Sequence, residues 1–281
     1  MRSETAKIDG INMSWLEQGE GTPVVLVHGI PTSPALWRYV MPKLKNVRCL
    51  AFEMVGYGNS IEEADGRDIS IAKQADYLVA WLAHLGIKRA VLAGHDLGGG
   101  VVQIAAVRHP SLCAGLFLTN AIGYDSWPIP SVKAMNALAP LVKHLPDTAG
   151  KQILRTLMYR GHDDSALAKE ALDLHWQAYA RHGGVASLIR QVEALDVNDT
   201  LAVAAALPQL KIPARIAWGV DDKFQKIAYG ERFADDLNAP LHRINGGLHF
   251  TPEDHPDEIA EQISLLVKTV SENDLGSEAV Y

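Results

Sequence analysis

Short, unbroken apolar runs punctuate the first 120 residues: Val24-Val25-Leu26-Val27, Cys49-Leu50-Ala51-Phe52, Ala90-Val91-Leu92-Ala93 and Gly115-Leu116-Phe117-Leu118. A run that is apolar at every position predicts a strand covered on both faces. Residues 11–17 alternate instead, which predicts an edge strand. Between the runs the period lengthens. Ile71, Ala75, Leu78, Val79 and Leu82 recur at helical spacing and predict a helix over 70–85, with Ser70 as its N-cap and Gly86 closing it. Residues 34–44 are expected to be helical too, with Trp37 and Val40 inward, and so is the stretch that starts at Val101. Strands alternating with helices build a mostly parallel sheet between helical layers, so the fold class is α/β.

The rhythm stops after Asn120. From 123 to 207 no buried strand is predicted; Pro128, Pro130, Pro140 and Pro146 break the early part, and Tyr124, Trp127, Tyr159, Trp176 and Tyr179 recur. This predicts a cap of short helices over the C-terminal edge of the sheet. Strand patterning resumes at 214–218 and 241–244, with helices over 227–237 and 259–270 and a polar tail from 271 that is expected to fray. The expected division is a core of 1–122 and 208–281 and a cap of 123–207.

Composition narrows the role. A net charge of −7 and a pI of about 5.9 argue against nucleic acid or an anionic membrane as partner. The two cysteines, Cys49 and Cys113, sit in strand-like apolar runs and read as reduced core residues. No apolar stretch is long enough to span a bilayer, and the N-terminus lacks a signal-like apolar run. A cytoplasmic enzyme, monomer or homodimer, is expected.

The chemistry concentrates at Gly94-His95-Asp96-Leu97-Gly98. Glycines two before and two after a central residue, between a strand and a helix, form a nucleophile elbow. The central residue is Asp96. A carboxylate gains little by attacking an ester, because the product is an anhydride. It does well against sp³ carbon bearing a halide or a strained epoxide oxygen, and leaves an alkyl ester that water must cleave. That water needs a neutral histidine held in one tautomer by a carboxylate. His249, in a glycine-rich loop after the last strand, is the candidate base. Asp222 and Asp221 compete for the orienting acid, with Asp222 favoured and Asp125 a weaker option. His242 and His255 are read as structural.

These pieces resemble the Asp-nucleophile branch of the α/β-hydrolase superfamily, which holds epoxide hydrolases and haloalkane and haloacetate dehalogenases. The resemblance rests on His28-Gly29-Ile30-Pro31, Gly56-Tyr57-Gly58-Asn59-Ser60, the elbow, Trp218-Gly219-Val220-Asp221-Asp222 and Leu248-His249-Phe250. It covers nearly the whole chain except the cap. It implies Asp222 as the acid, an oxyanion hole made by the backbone N–H groups of Ile30 and Leu97, and no metal or organic cofactor. The sequence also departs from the branch. Haloalkane dehalogenases usually carry Trp after the nucleophile and many carry Asn after the His-Gly pair, and both donate to the leaving halide. Leu97 and Ile30 donate nothing from their side chains. The expected reaction is therefore epoxide hydrolysis to a diol, on a small, mainly apolar substrate. A haloalkane or haloacetate dehalogenase, a carbonyl (ester or lactone) hydrolase and a non-catalytic binding protein are the alternatives. The implied ring-opening donor is a cap residue, Tyr179 or Tyr159, with His175 one turn from Tyr179. Ile189-Arg190 stands where many epoxide hydrolases have Tyr-Arg. Trp37, Trp127 and Trp176 are read as core or pocket wall, and Arg38 is a candidate anchor for a haloacetate carboxylate.

Overall fold

The computed structural model describes residues 1–278, with side chains through residue 273. Eight strands form one sheet: β1 (Arg2–Ile8), β2 (Ile11–Gln18), β3 (Thr22–Val27), β4 (Val47–Phe52), β5 (Ala90–His95), β6 (Cys113–Thr119), β7 (Ala214–Gly219) and β8 (Leu241–Ile244), in the order β1-β2-β4-β3-β5-β6-β7-β8. The first two strands are antiparallel to their neighbours; β3 to β8 run parallel.

The unbroken apolar runs are explained by what covers them. Val24 and Leu26 pack with the C-terminal helix α11 (Pro256–Glu278) and with Leu36, Trp37 and Val40. Val25 and Val27 point the other way, into a layer built by α1 (Ile71–His84), α2 (Leu97–Arg108) and Phe233 of α9 (Ile227–Asp236). All four strand residues are fully buried. With period-two alternation, both faces must then be apolar.

Three expectations are corrected. Residues 11–17 are not the edge: β1 lies outside them, joined through Asp9-Gly10, where both residues have positive φ (48° and 81°) as a tight hairpin needs. β1 reads Arg-Ser-Glu-Thr-Ala-Lys-Ile, too polar to announce itself. Residues 34–44 form two 3-10 turns, at Pro34–Trp37 and Met41–Lys43, rather than one helix. Pro42 lacks the N–H that a continuous helix would require there. The tail does not fray at 271, since α11 continues to Glu278; the remainder of that expectation, 279–281, lies outside the described residues. Cys49 and Cys113 are free and buried, and burial pushes both thiols up to about 12. Among the described residues, no helix is long and apolar enough to cross a membrane.

Between β6 and β7 the chain makes six helices: α3 (Pro130–Ala137), α4 (Ala139–Val142), α5 (Asp147–Gly161), α6 (Ser165–Arg181), α7 (Gly184–Glu193) and α8 (Asn198–Ala204). Asp164 caps α6, accepting from Ala166 N (2.7 Å) and Leu167 N (2.9 Å). Gly183 (φ 87°) and Gly184 (φ 55°) then reverse the chain into α7. A four-residue helix, α10 (Thr251–Asp254), follows β8 just after His249.

Candidate active site

The elbow joins β5 to α2. Asp96 holds φ 50° and ψ −121°, a conformation that costs a non-glycine residue about 1–3 kcal/mol and that clusters at functional turns. Two glycines let the surroundings close on it. A Cβ on Gly98 would stand 2.2 Å from the Val27 carbonyl oxygen, and one on Gly29 would stand 2.3 Å from Asp96 Oδ2. The backbone of the 28–30 loop therefore reaches Asp96.

That approach sets the hydrogen bonds. Ile30 N–H donates to Asp96 Oδ2 at 3.0 Å, and the Leu97 N–H at the start of α2 donates to the same carboxylate. Asp96 Oδ1 lies 3.8 Å from His249 Nε2. His249 Nδ1 meets Asp222 Oδ2 at 2.9 Å. Asp222 Oδ2 also accepts from Asn120 Nδ2 (2.6 Å), and its Oδ1 accepts from Phe224 N (2.6 Å). The structure thus brings Asp96, His249, Asp222, Ile30 and Leu97 together. It separates them from Asp221, which is exposed, and from Asp125, which is exposed and accepts from the Tyr229 hydroxyl at 3.1 Å.

Electrostatics follow from burial. Asp96 is 6% exposed, and desolvation raises its pKa above the usual carboxylate value; the charge of His249 and the two N–H donors oppose the rise. Burial works against the charged form of His249 as well. The charge and hydrogen bond of Asp222, together with the charge of Asp96, outweigh it and raise the His249 pKa. His95, behind the elbow, has its Nε2 at 2.9 Å from the His249 carbonyl oxygen and its Nδ1 unpartnered. Burial holds it well below the usual imidazole value, so it is neutral with its proton on Nε2.

The loop that carries His249 is tied to the end of α5. Gly161 O accepts from His249 N (2.9 Å) and Phe250 N (3.0 Å), and Asp163 Oδ1 accepts from Leu248 N (2.7 Å). Beside it, His162 lies 3.2 Å from Glu253 Oε2 and 2.9 Å from Asp254 Oδ1. Burial disfavours its charge, but these two carboxylates raise its pKa to about 9. A histidine raised from 6.5 to about 9 stabilises the fold fully below pH 6.5 and loses that contribution as pH rises through 9. The shift corresponds to stability on the order of 3 kcal/mol. The melting temperature of the protein is expected to fall between pH 6.5 and 9.5, and most of that fall should vanish in His162→Gln. An equal decline in both proteins excludes His162 as its source.

A cavity opens over Asp96 and His249. Its wall is hydrocarbon from Ile30, Leu97, Trp127, Val132, Leu188 and Phe224, among others. Of the cap and pocket residues expected from sequence, Trp127 lines it and the others do not. Tyr179 is 1% exposed and its hydroxyl donates to Gln191 Oε1 at 2.7 Å; Gln191 in turn holds the Gly56 carbonyl. Tyr159 is 40% exposed, beside Arg155. His175 is buried between Ser33 Oγ (3.2 Å) and Glu253 (3.6 Å). Trp176 stacks on Tyr179, and Trp37 is buried under the sheet. Arg38 pairs with Glu253 and Glu170, and Arg190 pairs with Asp65. His175, Tyr179 and Arg190 share a reason: α6 and α7 turn them onto the loops of residues 33–65, whereas α3, α5 and α7 supply the apolar wall. The structure adds what the sequence did not mark as functional. Asn120, at positive φ (44°), holds Asp222; its place at a strand end was the available signal. Gln225, in the cavity wall, gave none.

Comparisons with known proteins agree with this fold. The alpha/beta hydrolase fold family matches residues 22–256. An uncharacterized hydrolase, YugF, from Bacillus subtilis (strain 168) is 25% identical, over 93% of this chain and 96% of that protein. A soluble epoxide hydrolase from Corynebacterium sp. (strain C12) is 27% identical, over 91% and 93%. A crystal structure of an alpha/beta hydrolase fold protein from Burkholderia ambifaria superimposes with a TM-score of 0.87 at 26% identity, covering 92% of this chain and 96% of that one.

Proposed function

The chain belongs to the alpha/beta hydrolase fold family, and from that premise we propose that it hydrolyses its substrate through an alkyl ester of Asp96, with an epoxide as the foremost substrate class. The observation that carries this reading is the arrangement of the Asp96 carboxylate. Its Oδ2 already accepts from Ile30 N–H, while Oδ1 lies on the His249 side. When Oδ1 attacks carbon, Oδ2 becomes the carbonyl oxygen of the new ester. It then sits among the donors that stabilise the oxyanion formed when water adds to Cγ. An elbow serine would direct those donors at the substrate; here they serve the enzyme's own carboxylate.

The residues take these roles. Asp96 attacks and expels the leaving atom. His249 Nε2 takes the proton of the attacking water, and Asp222 holds the ring so that Nε2 faces it unprotonated. Alkylation supplies its own timing. The charge of Asp96 is one cause of the raised His249 pKa. Forming the ester removes that charge, so the imidazole becomes easier to keep neutral at the step where it must act as a base. The helices 123–207 are assigned as a cap, and their apolar wall suits a small, mainly apolar substrate. No metal or organic cofactor enters this scheme. The Corynebacterium relative, named as an epoxide hydrolase, supports the choice of an epoxide. An alkyl halide is the second reading, favoured by one observation: among the described residues no tyrosine lines the cavity, and a halide leaves without needing a proton.

Intact-mass measurement of His249→Gln with styrene oxide and with 1-bromobutane distinguishes these. The ester should form but hydrolyse about 10⁴-fold more slowly than in the parent. A gain equal to the whole epoxide supports ring opening. A gain of a butyl group with loss of HBr supports dehalogenation. No adduct from either would sink the alkyl-enzyme scheme and favour carbonyl chemistry or ligand binding without turnover.

A further inference from the structure

Resting on that reading, we infer that Gln225 hydrogen-bonds the leaving atom, and that the substrate is a hydrocarbon body carrying one small hydrogen-bond-accepting leaving group, a ring oxygen or a halogen. Gln225 lies in the turn between β7 and α9, three residues after Asp222. Its backbone is fixed, because its carbonyl accepts from Nε1 of the fully buried Trp218 at 2.9 Å. Its side chain is 3% exposed, lines the cavity with Asp96 and His249, and its Oε1 has no hydrogen-bond partner among the described residues. Buried amides are ordinarily paired, so the partner is supplied by what enters the cavity.

The rest of the polar wall is already committed. The Ile30 and Leu97 N–H groups serve Asp96. Trp127 Nε1 donates to Thr200 Oγ1 at 2.7 Å. His249 Nδ1 is held by Asp222, and the N–H groups of His249 and Phe250 are held by Gly161. An atom expelled here with an electron pair meets hydrocarbon and Gln225. Rotation about the last side-chain bond exchanges Oε1 and Nε2 without changing shape, so the amide can present N–H to an acceptor. As the bond from Asp96 Oδ1 to carbon forms, the bond from carbon to the leaving atom breaks and the pair goes with that atom. Nε2–H donates to the resulting alkoxide or halide. A carboxamide does not give up its proton, so the proton that completes a diol comes from water. Gln225 thus occupies the role that the tyrosines of the cap, bound elsewhere, do not.

The test is the rate of alkyl-enzyme formation in the full chain carrying His249→Gln, read by intact mass. The probes are 1-chlorobutane, 1-bromobutane, 1-iodobutane and styrene oxide. Gln225→Leu keeps the volume and removes the donor; Gln225→Met keeps the unbranched shape. Both variants are expected to slow alkylation by chloride and epoxide about 100-fold, the scale of one lost charge-stabilising donor. Iodide, which depends least on hydrogen bonding, should slow less than about 10-fold. Equal slowing of all leaving groups, or none, overturns the role of Gln225 while leaving the alkyl-enzyme scheme standing. No adduct in the parent with any probe overturns both.

Discussion

Asp96→Asn is expected to lose turnover by about 10⁴-fold or more while gaining stability. The two effects have one cause. Asn accepts positive φ more readily than most residues, and its carbonyl oxygen can take the Ile30 N–H group as Oδ2 does now. What disappears is the charge. Burial raises the pKa of Asp96, so the ionised carboxylate is held in the folded protein at a cost. At neutral pH the variant should therefore melt above the parent while forming no alkyl ester in intact-mass measurements. A variant that keeps its activity on activated esters would remove Asp96 from the nucleophile role. One that melts well below the parent would show that the elbow needs the charge for its geometry.

Asp222→Asn is expected to reduce turnover by about 10⁴-fold, with alkylation of Asp96 affected far less. Asp222 accepts three hydrogen bonds, two at Oδ2 from His249 and Asn120 and one at Oδ1 from Phe224 N. An amide has only one oxygen to offer. If the oxygen faces Phe224, the NH2 group faces the Asn120 NH2, and His249 must accept at Nδ1 and carry its proton on Nε2. The ring then presents a donor where the water needs a base. If the amide turns the other way, two N–H groups meet at Phe224. Loss of the Asp222 charge also removes the leading cause of the raised His249 pKa, so the acidic limb of the residual pH–rate profile, where His249 loses its proton, should move to lower pH. A single-turnover experiment that resolves alkylation from ester hydrolysis checks the assignment; equal slowing of both steps would argue that Asp222 only maintains the fold.

Much of this protein was legible in its sequence because the relevant signals are local. Val24 to Val27 must be covered on both faces whatever covers them, and Gly94 and Gly98 around Asp96 fix a strand-to-helix turn through their own lack of a side chain. The polar β1 escaped notice because an edge strand needs no apolar pattern, only a neighbour to pair with. The helix expected over 34–44 failed at Pro42, where the missing N–H outweighed an apolar period that was otherwise correct, since Trp37 and Val40 are buried as that period requires.

The cavity belongs to the other class. Tyr179 and His175 do share a face of α6, but that face turns towards Gln191, Ser33 and Glu253 rather than towards Asp96. Helical spacing states which residues share a face and is silent on what the face meets. Asn120, Gln225 and the Gly161 carbonyl reach the site from three separate segments, and no spacing in the chain relates them. The sequence by itself determined the strands from β2 to β8 and the elbow, because each is written in its immediate neighbours, and it offered Asp96, Asp222 and His249 as the candidate site. Only the tertiary structure decided what surrounds the reacting carbon, because packing between distant segments is set by shape and by buried hydrogen bonds that no local pattern encodes.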